Sequence, residues 1–244
     1  MPFLFCCKWQ PNGEKADTCQ VYNKWRTSQN CSSYEAPVIG SVSVGPHFTT
    51  FDRRNYTFNA KGEYSLVHVN NPVHKLDVQG RFEKVPKINA TELTAVAARD
   101  NISSVVEFRL RPAAARWRYR MYVIVDKEYL FWWDESMRLQ YFRGVTLYQP
   151  EGIQNMSHVI AMFDSGVGVE VMAIAGNLTV HVYAPHTFRL NGTGGLLGTQ
   201  EDIDMRLGKE WRVKERVAIG DGNQVASLFF HDSVPFAHYD EPEP

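Results

Sequence analysis

The four cysteines of this 244-residue chain all lie within its first 31 residues, and none follows. Their spacing contains no C-x-x-C pair, and no histidine precedes His47, so disulfides are favoured over a zinc site. The N-terminal segment is therefore predicted to be stapled, with a pairing that the sequence leaves open, through Cys6, Cys7, Cys19 and Cys31. The cysteine-free remainder must be held together by a hydrophobic core, for which the chain is long enough.

Asn-x-Ser/Thr sequons, the acceptor sites for N-glycosylation, indicate that the chain passes through the secretory pathway. Seven occur, where 13 Asn and 25 Ser plus Thr predict about 1.3 by chance. Asn30, with cysteine as its middle residue, and Asn55, expected to be more buried, are the weaker candidates. The predicted glycosylation sites are Asn30, Asn55, Asn89, Asn101, Asn155, Asn177 and Asn191.

Charge and hydropathy limit the remaining function classes. The net charge is −1, so no general field attracts nucleic acid or an anionic membrane surface. No apolar stretch of about 20 residues is present, and residues 1–5 are too short for a signal peptide. Because sequons and paired cysteines require secretion, the chain is expected to be a fragment of a longer protein, with its signal peptide and any anchor elsewhere.

Short alternating segments separated by turn residues predict an all-β fold, mainly an antiparallel β-sandwich with few short helices. In residues 75–83, Leu76, Val78 and Phe82 are predicted to face inward. Residues 91–99 are compatible with either helix or strand, and Asp126-Lys127 is expected to form a tight turn. Residues 37–40 are expected to be a linker. The predicted strands are 58–69, 75–83, 105–110, 117–125, 129–133, 144–148, 158–163, 167–173 and 178–183.

Several motifs, in order, resemble a von Willebrand factor type D domain over about residues 41–230. The opening, residues 44–67, reads VGPHFTTFDRRNYTFNAKGEYSLV, and residues 163–183 read FDSGVGVEVMAIAGNLTVHVY. Residues 194–204, GGLLGTQEDID, stand in the place of the family's acidic loop, and Trp211 and residues 227–229 match the end of the domain.

The first 36 residues resemble the C-terminal part of an AMOP domain, and residues 231–244 are expected to be a linker or tail. An AMOP domain followed by a cysteine-poor type D domain is the order in a group of large single-pass cell-surface proteins that includes mucin-4, Mesh and sushi-domain-containing protein 2. The resemblance implies a non-enzymatic module on the extracellular side of the plasma membrane, or secreted. Such a module would act in cell adhesion or cell-cell junctions by contacting other cell-surface or extracellular proteins. A mucin-like assembly or matrix domain is the alternative, weakened by the lack of cysteines.

The resemblance also bears on self-cleavage. In several relatives the Asp-Pro bond of a Gly-Asp-Pro-His motif breaks spontaneously, because the aspartate carboxylate attacks its own carbonyl. The corresponding residues here are Gly45, Pro46 and His47, so the internal nucleophile is missing. The motif is therefore predicted to be degenerate and uncleaved, with Pro46-His47 as a rigid start of a strand. No catalytic residue is predicted.

Type D domains commonly hold calcium with a loop at this place, and calcium takes six to eight oxygen ligands. The residues in matching positions are Asp52, Glu201, Asp202 and Asp204. The family's asparagine is replaced by Thr199, and the usual glycine of the loop is missing. Calcium binding and a solvated acidic turn both remain open from the sequence.

Overall fold

In the computed structural model, the chain divides into two compact units, residues 1–36 and 37–244. The structure describes residues 36–70, 75–111, 120–130, 138–150, 158–174, 176–185, 188, 193–198, 211–213 and 226–230. The four cysteines lie outside these ranges, as do Asn30, Asn155 and Asn191 and three predicted calcium ligands, Glu201, Asp202 and Asp204.

Two antiparallel sheets contain the fourteen strands formed by the described residues. The strands are β1 (Val38–Ser43), β2 (His47–Thr49), β3 (Asn55–Thr57), β4 (Gly62–Asn70), β5 (Lys75–Lys84), β6 (Thr91–Asp100), β7 (Val106–Leu110), β8 (Met121–Val125), β9 (Glu128–Tyr129), β10 (Leu139–Phe142), β11 (Val145–Tyr148), β12 (His158–Phe163), β13 (Gly168–Ile174) and β14 (Asn177–Ala184). One sheet has eight strands in the order β10-β11-β12-β13-β14-β1-β2-β3, and the other has six in the order β4-β5-β6-β7-β8-β9. The prediction of an all-β, antiparallel fold is confirmed.

The core lies between the two sheets and consists of alternate residues along their strands. In β5, Leu76, Val78 and Phe82 are fully buried in this core, as the alternation predicts. Contacts between β14 and β6 join the sheets. Among the described residues, no helix is long and apolar enough to cross a membrane.

One sequence prediction is wrong at the level of elements, and one alternative that the sequence left open is resolved. Residues 38–40, expected to be part of a linker, form the first half of β1, which pairs with β14 from Val38 opposite Ala184 onward. The ambiguous segment 91–99 is strand β6, paired with β5 on one side and β7 on the other. Both segments complete a ladder with a partner that lies far away in the chain, and local sequence does not reveal that partner.

A short segment, Thr193–Gly198, closes one side of the sandwich, and we call it the closure segment. Its Gly194 exchanges two backbone hydrogen bonds of 2.9 Å with His68 of β4, and the Leu197 amide donates to the Leu66 carbonyl at 2.8 Å. On the other side, the Phe51 amide, after β2 of the eight-stranded sheet, donates to the Leu197 carbonyl at 3.0 Å. Leu196 and Leu197 are fully buried, so the closure segment links both sheets to the core.

The predicted tight turn between β8 and β9 is confirmed, and it suggests a stabilising change. Asp126 and Lys127 have φ of 48° and 76°, which is the left-handed region at both central positions of a type I′ hairpin turn. The Asp126 carboxylate accepts a hydrogen bond of 2.9 Å from the Val105 amide. Lys127 adopts the left-handed backbone conformation, which is unfavourable for a residue with a Cβ. We expect Lys127→Gly to stabilise the fold by about 1 kcal/mol. Chemical denaturation of both proteins tests this, and an unchanged or lower stability would contradict it.

Candidate interaction surface

The outer face of the eight-stranded sheet carries several exposed large apolar side chains among polar ones. Residues directly opposite one another on neighbouring strands point to the same side of a sheet. Such a row crosses six strands, through Ile39, Tyr183, Gly168, Met162, Thr146 and Tyr141. The exposed large apolar side chains of this surface, which we call the contact face, are Ile39 (48% exposed), Leu139 (45%), Tyr141 (74%), Met162 (40%) and Ile174 (50%). Where such side chains form a continuous patch, the surface is typical of a protein-binding site.

The polar centre of the contact face is Glu170 in β13. Its Oε1 accepts a hydrogen bond of 2.6 Å from His158 Nε2, and its Oε2 accepts bonds of 3.0 Å from His181 Nδ1 and 2.6 Å from the Tyr183 hydroxyl. Three donors on two neighbouring strands therefore hold one carboxylate in a fixed orientation. The cluster gives this face one anchored negative charge, whose side chain is 14% exposed.

The Glu170 cluster predicts an acid-dependent loss of stability. Burial raises the pKa of the Glu170 carboxyl, but hydrogen bonds from Tyr183, His181 and His158 lower it by more than burial raises it. The pKa of Glu170 therefore lies below its ordinary value of 4.5. A carboxyl with a depressed pKa stabilises the fold above its unfolded pKa, and this contribution disappears as the pH falls through the folded pKa. The stability difference between the wild type and Glu170→Gln should therefore shrink as the pH falls below about 4.5.

Urea denaturation of the wild type and of Glu170→Gln between pH 3 and pH 7 measures that difference. A difference that stays constant down to pH 3 would contradict the hydrogen-bonded arrangement of Glu170.

Tyr183 predicts a second effect, at alkaline pH. Its hydrogen bond to Glu170, together with burial, raises the pKa of Tyr183 to about 12. The stabilising contribution of Tyr183 should therefore be fully present below the ordinary tyrosine pKa and be lost as the pH rises from that value toward 12.

The outer face of the six-stranded sheet differs, because residues 226–230 lie across part of it. We call this segment the C-terminal strap. The Gln79 side chain, fully buried in β5, binds it with both ends of its amide: Nε2 donates to the Ala226 carbonyl and Oε1 accepts from the Leu228 amide, each at 2.8 Å. Phe229 packs on two alanines of β6, with the Arg81 guanidinium 4.4 Å from its ring centre.

A buried ion pair holds the end of the strap. Glu107 of β7 is 2% exposed, and its Oε1 accepts bonds of 2.9 and 2.8 Å from Nε and Nη2 of Arg109. Its Oε2 accepts a bond of 2.9 Å from the Phe230 amide, while Arg109 Nη2 also donates to the Phe230 carbonyl at 2.7 Å. The strap therefore belongs to the folded unit, and the two outer faces differ in how far they are accessible to a partner.

The degenerate cleavage motif forms the turn between β1 and β2. Gly45 has φ of 122°, a conformation that L-residues rarely adopt, and His47 directly follows Pro46 as the first residue of β2. A Cβ at position 45 would collide with His47 Nε2, while the other ring nitrogen bonds the Thr57 hydroxyl at 2.8 Å. An aspartate at 45 therefore requires both the backbone and the histidine ring to move.

From this turn we predict that the Gly45-Pro46 bond stays intact. The acyl side carries no carboxylate, so no internal nucleophile can attack the carbonyl. A reducing gel of the secreted chain, before and after incubation at mildly acidic pH, tests this. Fragments that separate near residue 45, identified by N-terminal sequencing, would contradict it.

Asp52 is the one predicted calcium ligand that the structure describes. Its Oδ1 accepts a hydrogen bond from the Thr50 hydroxyl, and its Oδ2 lies 3.2 Å from Arg54 Nε. Both oxygens are thus engaged within the turn that follows β2. Among the described residues, no three His, Cys, Asp or Glu side chains are grouped so that they could hold a metal ion. Of the four predicted ligands, Asp52 is thus the one whose surroundings the structure describes.

Four predicted glycosylation sites lie in the described ranges, at turns, at a strand end or on an edge strand. Asn89 is in the β5–β6 connection and Asn101 is in the turn after β6, and both are exposed. Asn55 was expected to be more buried, but it is exposed on β3, an edge strand, where Oδ1 accepts a bond of 2.7 Å from the Thr49 hydroxyl. Its amide nitrogen remains available for a glycan. Asn177 is half-buried at the first position of β14.

Comparisons with known proteins support the group that the sequence resembles. No protein-family model matches the chain. The chain is similar to Protein mesh of Bombyx mori, at 46% identity over 204 residues that cover 81% of this chain and 13% of that protein. It is also similar to human Sushi domain-containing protein 2, at 35% identity over 82% of this chain and 22% of that protein. Human Mucin-4 is 28% identical over 81% of this chain and 4% of that protein.

These three relatives are the members of the group named from the sequence, so that resemblance is confirmed at the level of the group. The chain spans between 4% and 22% of their lengths and thus corresponds to a segment of each. The assignments to a type D domain and to an AMOP domain remain predictions.

The sequence did not reveal the Glu170 cluster or the residues that bind the strap. Glu170 carried one signal, since it is the only charged residue of β13, but its three donors come from β12 and β14. Finding the cluster required the register of three strands. For Gln79 and Glu107 the strap residues lie more than 100 positions away in the chain, and no local pattern connects them.

Proposed function

We propose that this chain is a non-enzymatic extracellular module of a larger cell-surface protein, and that it acts in adhesion or junction organisation through protein-protein contacts. The observation that carries the proposal is the set of exposed apolar side chains on the contact face, in a segment shared with Mesh, Sushi domain-containing protein 2 and Mucin-4. The names Mucin-4 and Sushi domain-containing protein 2 belong to those relatives, and our proposal assigns their extracellular setting to this chain.

The positions of the sequons support this arrangement. On the contact face, Asn55 lies on the outermost strand, β3, and Asn177 lies at the end of β14, next to the β13–β14 turn. Asn89 and Asn101 belong to the connections of the other sheet. Asn177 is directly opposite Ile174, so a glycan there would cover that end of the contact face, whereas none of the four sites lies in the row from Ile39 to Tyr141. A row that carries no sequon is accessible to a protein partner.

The test is adhesion of beads coated with the whole chain, secreted and glycosylated, to cultured epithelial cells. The proposal predicts that coated beads bind at several times the level of beads that carry the heat-unfolded chain. Glycopeptide mapping of the same material should find sugar at the four described sequons. Beads that bind no better than the unfolded control, or a protein without glycans when purified from its natural source, would refute the proposal.

We further propose, following the family resemblance, that calcium binds at Asp52 together with Glu201, Asp202 and Asp204. Calcium would have to replace Arg54 beside the Asp52 carboxylate, because both carboxylate oxygens already have partners. Calorimetry on the intact chain, with Asp52→Asn as the matched variant, tests this. No heat of binding, or equal binding by both proteins, would remove Asp52 from any calcium site.

A further inference from the structure

We propose that the outer face of the six-stranded sheet is a peptide-binding site, and that two copies of this chain exchange the straps that occupy it. In the structure, the site holds residues 226–230 of its own chain. The site and the contact face belong to different sheets, so this inference goes beyond the proposed function and does not depend on it. Three observations carry it: the arrangement of the site, the kind of hydrogen bonds that hold the strap, and the separation of the strap's packing from the core.

The site consists of two rows of side chains on three neighbouring strands. Residues directly opposite one another on β5, β6 and β7 point to the same side of the sheet. In both rows the middle residue, on β6, is an alanine, and the residues beside it are polar. The rows are Gln79, Ala97 and Glu107, and Arg81, Ala95 and Arg109. The two alanines therefore form a slot between polar side chains.

Side chains of the site, and not its backbone, hold the strap. Gln79 binds the strap backbone at Ala226 and Leu228 through two hydrogen bonds of 2.8 Å. The ion pair of Glu107 binds the amide of Phe230 at 2.9 Å and its carbonyl at 2.7 Å. In the described part of the chain, no backbone-to-backbone hydrogen bond joins the strap to the sheet. The strap is thus bound in the manner of a peptide ligand, while the ladders of the sheet form without it.

Two side chains of the strap fit the site specifically. The Phe229 ring packs in the slot and is 5% exposed, with the Arg81 guanidinium 4.4 Å from its centre. Such a cation–π contact favours an aromatic residue. The Ser227 hydroxyl donates a bond of 2.7 Å to Oε2 of Glu63, whose Oε1 is paired with Arg81. Because the backbone bonds do not depend on sequence, these two contacts predict that the site prefers the pattern Ser-x-Phe.

The packing of the strap is separate from the main core. Among the described residues, Phe229 and Leu228 contact Ala95 and Ala97 in a cluster that shares no residue with the core between the sheets. Charge is also balanced within the site, since its two arginines are each paired with a glutamate and residues 226–230 carry no charge. A neutral segment can therefore replace the strap without disturbing the core.

A second copy supplies a segment that is seen to fit this site, because every copy carries residues 226–230. If two copies exchange straps, each site keeps the backbone bonds and the ring contact that it has in the structure. Within one copy, the strap is tethered to its site and competes at a high effective concentration. We therefore expect exchange to become favourable when copies are crowded together.

Binding of a free strap peptide tests the site. The whole chain is secreted as wild type and as a strap variant, Phe229→Ala/Phe230→Pro, which lacks the ring and the N–H that Glu107 binds. A fluorescent peptide of residues 224–232 should bind the strap variant about tenfold more tightly than the wild type, whose own strap competes. The same peptide with Phe229→Ala should bind the strap variant about tenfold more weakly than the unchanged peptide. No binding by the folded strap variant, or equal binding of a scrambled peptide, would overturn the site.

Ala97→Leu, combined with the strap variant, is the control for location. The leucine side chain would fill the slot between Gln79 and Glu107, so the peptide should no longer bind. Glu128→Ala, on β9 at the edge of the same sheet, should leave peptide binding unchanged. Peptide binding that persists with Ala97→Leu would overturn the assignment of the slot.

Photo-cross-linking to the wild type covers the case in which the strap variant does not fold. A peptide with benzoylphenylalanine in place of Phe229 is irradiated with the wild-type chain at increasing peptide concentration, and the labelled fragment is identified by mass spectrometry. Label should appear on β6, beneath the ring of the strap, and an excess of unmodified peptide should remove it. Label on another strand, or label that the unmodified peptide does not remove, would refute the inference.

Mixing two variants tests a second copy as the source of the segment. The strap variant has an intact site, and the Ala97→Leu chain has an intact strap but a blocked site, so each alone should sediment as a monomer. An equimolar mixture should contain a complex of twice the monomer mass, which excess peptide dissociates. A mixture that stays monomeric while the peptide binds would overturn the exchange between copies. None of these measurements uses cells, so their failure and the failure of the proposed function are distinguishable.

Discussion

Replacement of Gly195 by alanine is expected to destabilise the domain by about 4 kcal/mol, or to prevent its secretion. Gly195 has φ of 99°, and a Cβ on it would lie 2.5 Å from the Leu66 carbonyl oxygen and 2.7 Å from its carbon. These are backbone atoms of β4, and the same carbonyl accepts the 2.8 Å bond from the Leu197 amide. The closure segment must therefore move away from β4, and Leu196 and Leu197 would be withdrawn from the core.

Gly176→Ala is the matched control for that change. Gly176 also has a left-handed φ, of 83°, but no other atom lies within 4 Å of the position that its Cβ would take. Its replacement should cost only the conformational strain, about 1–2 kcal/mol. Thermal and chemical unfolding of both variants measures the two losses of stability. Their difference is the cost of the clash between the alanine Cβ at position 195 and β4, because both variants bear the backbone strain. Equal losses for the two variants would mean that the closure segment does not contact β4 as described.

The second large effect is expected for Glu107→Ala, at about 3–5 kcal/mol of lost stability. Removing this buried carboxylate leaves Arg109 without its ion-pair partner and the Phe230 amide without an acceptor. An unpaired polar group in a buried site retains its desolvation cost. The strap should then detach from the sheet, exposing Phe229 and the two alanines beneath it.

Urea denaturation measures this effect, with Glu128→Ala, an exposed glutamate of β9, as the control that should change stability by less than about 0.5 kcal/mol. The double variant Glu107→Ala/Arg109→Ala should be more stable than the sum of the single changes implies, because the second change removes the uncompensated charge. Additive losses, or a loss no larger than that of Glu128→Ala, would show that the ion pair does not hold the strap.

The sequence predicted the fold class because alternation is a local signal. Strand β12 was predicted with the bounds that the structure has, His158–Phe163, and the inward residues of β5 were correct. The order of the strands was not predictable, since β1 lies between β14 and β2 and its pairing with β14 joins residues 138 to 146 positions apart. Strands β2, β3 and β10 have only three or four residues, too few to show a period.

Strand β6 shows how tertiary context overrides local preference. Its sequence, TELTAVAARD, is rich in alanine, which favours helix. In the structure, Ala95 and Ala97 face the strap, where their small side chains leave room for the Phe229 ring, while Val96 and Ala98 enter the core between the sheets. The segment is a strand because both of its faces are covered, and the covering residues are remote in sequence.

For the candidate sites, the sequence located individual residues better than their surroundings. It placed Gly45, Asp52 and the sequons, but it did not show that Asp52 is held by Thr50 and Arg54 or that Asn55 is exposed. The contact face was missed for the same reason as the Glu170 cluster. A row of residues from six strands becomes a surface only when the order and register of the sheet are known.

Cell binding by two surface variants tests the contact face most directly. Met162→Arg places a charge in the middle of that face, at a side chain that is 40% exposed. Ile88→Arg places the same charge on a more exposed isoleucine, at 57%, in the β5–β6 connection. Neither side chain belongs to the core, so both proteins should fold like the wild type. Beads coated with Ile88→Arg should bind cells like wild-type beads, and beads coated with Met162→Arg should lose most of that binding. Equal binding by the two variants would contradict a function exerted through the outer face of the eight-stranded sheet.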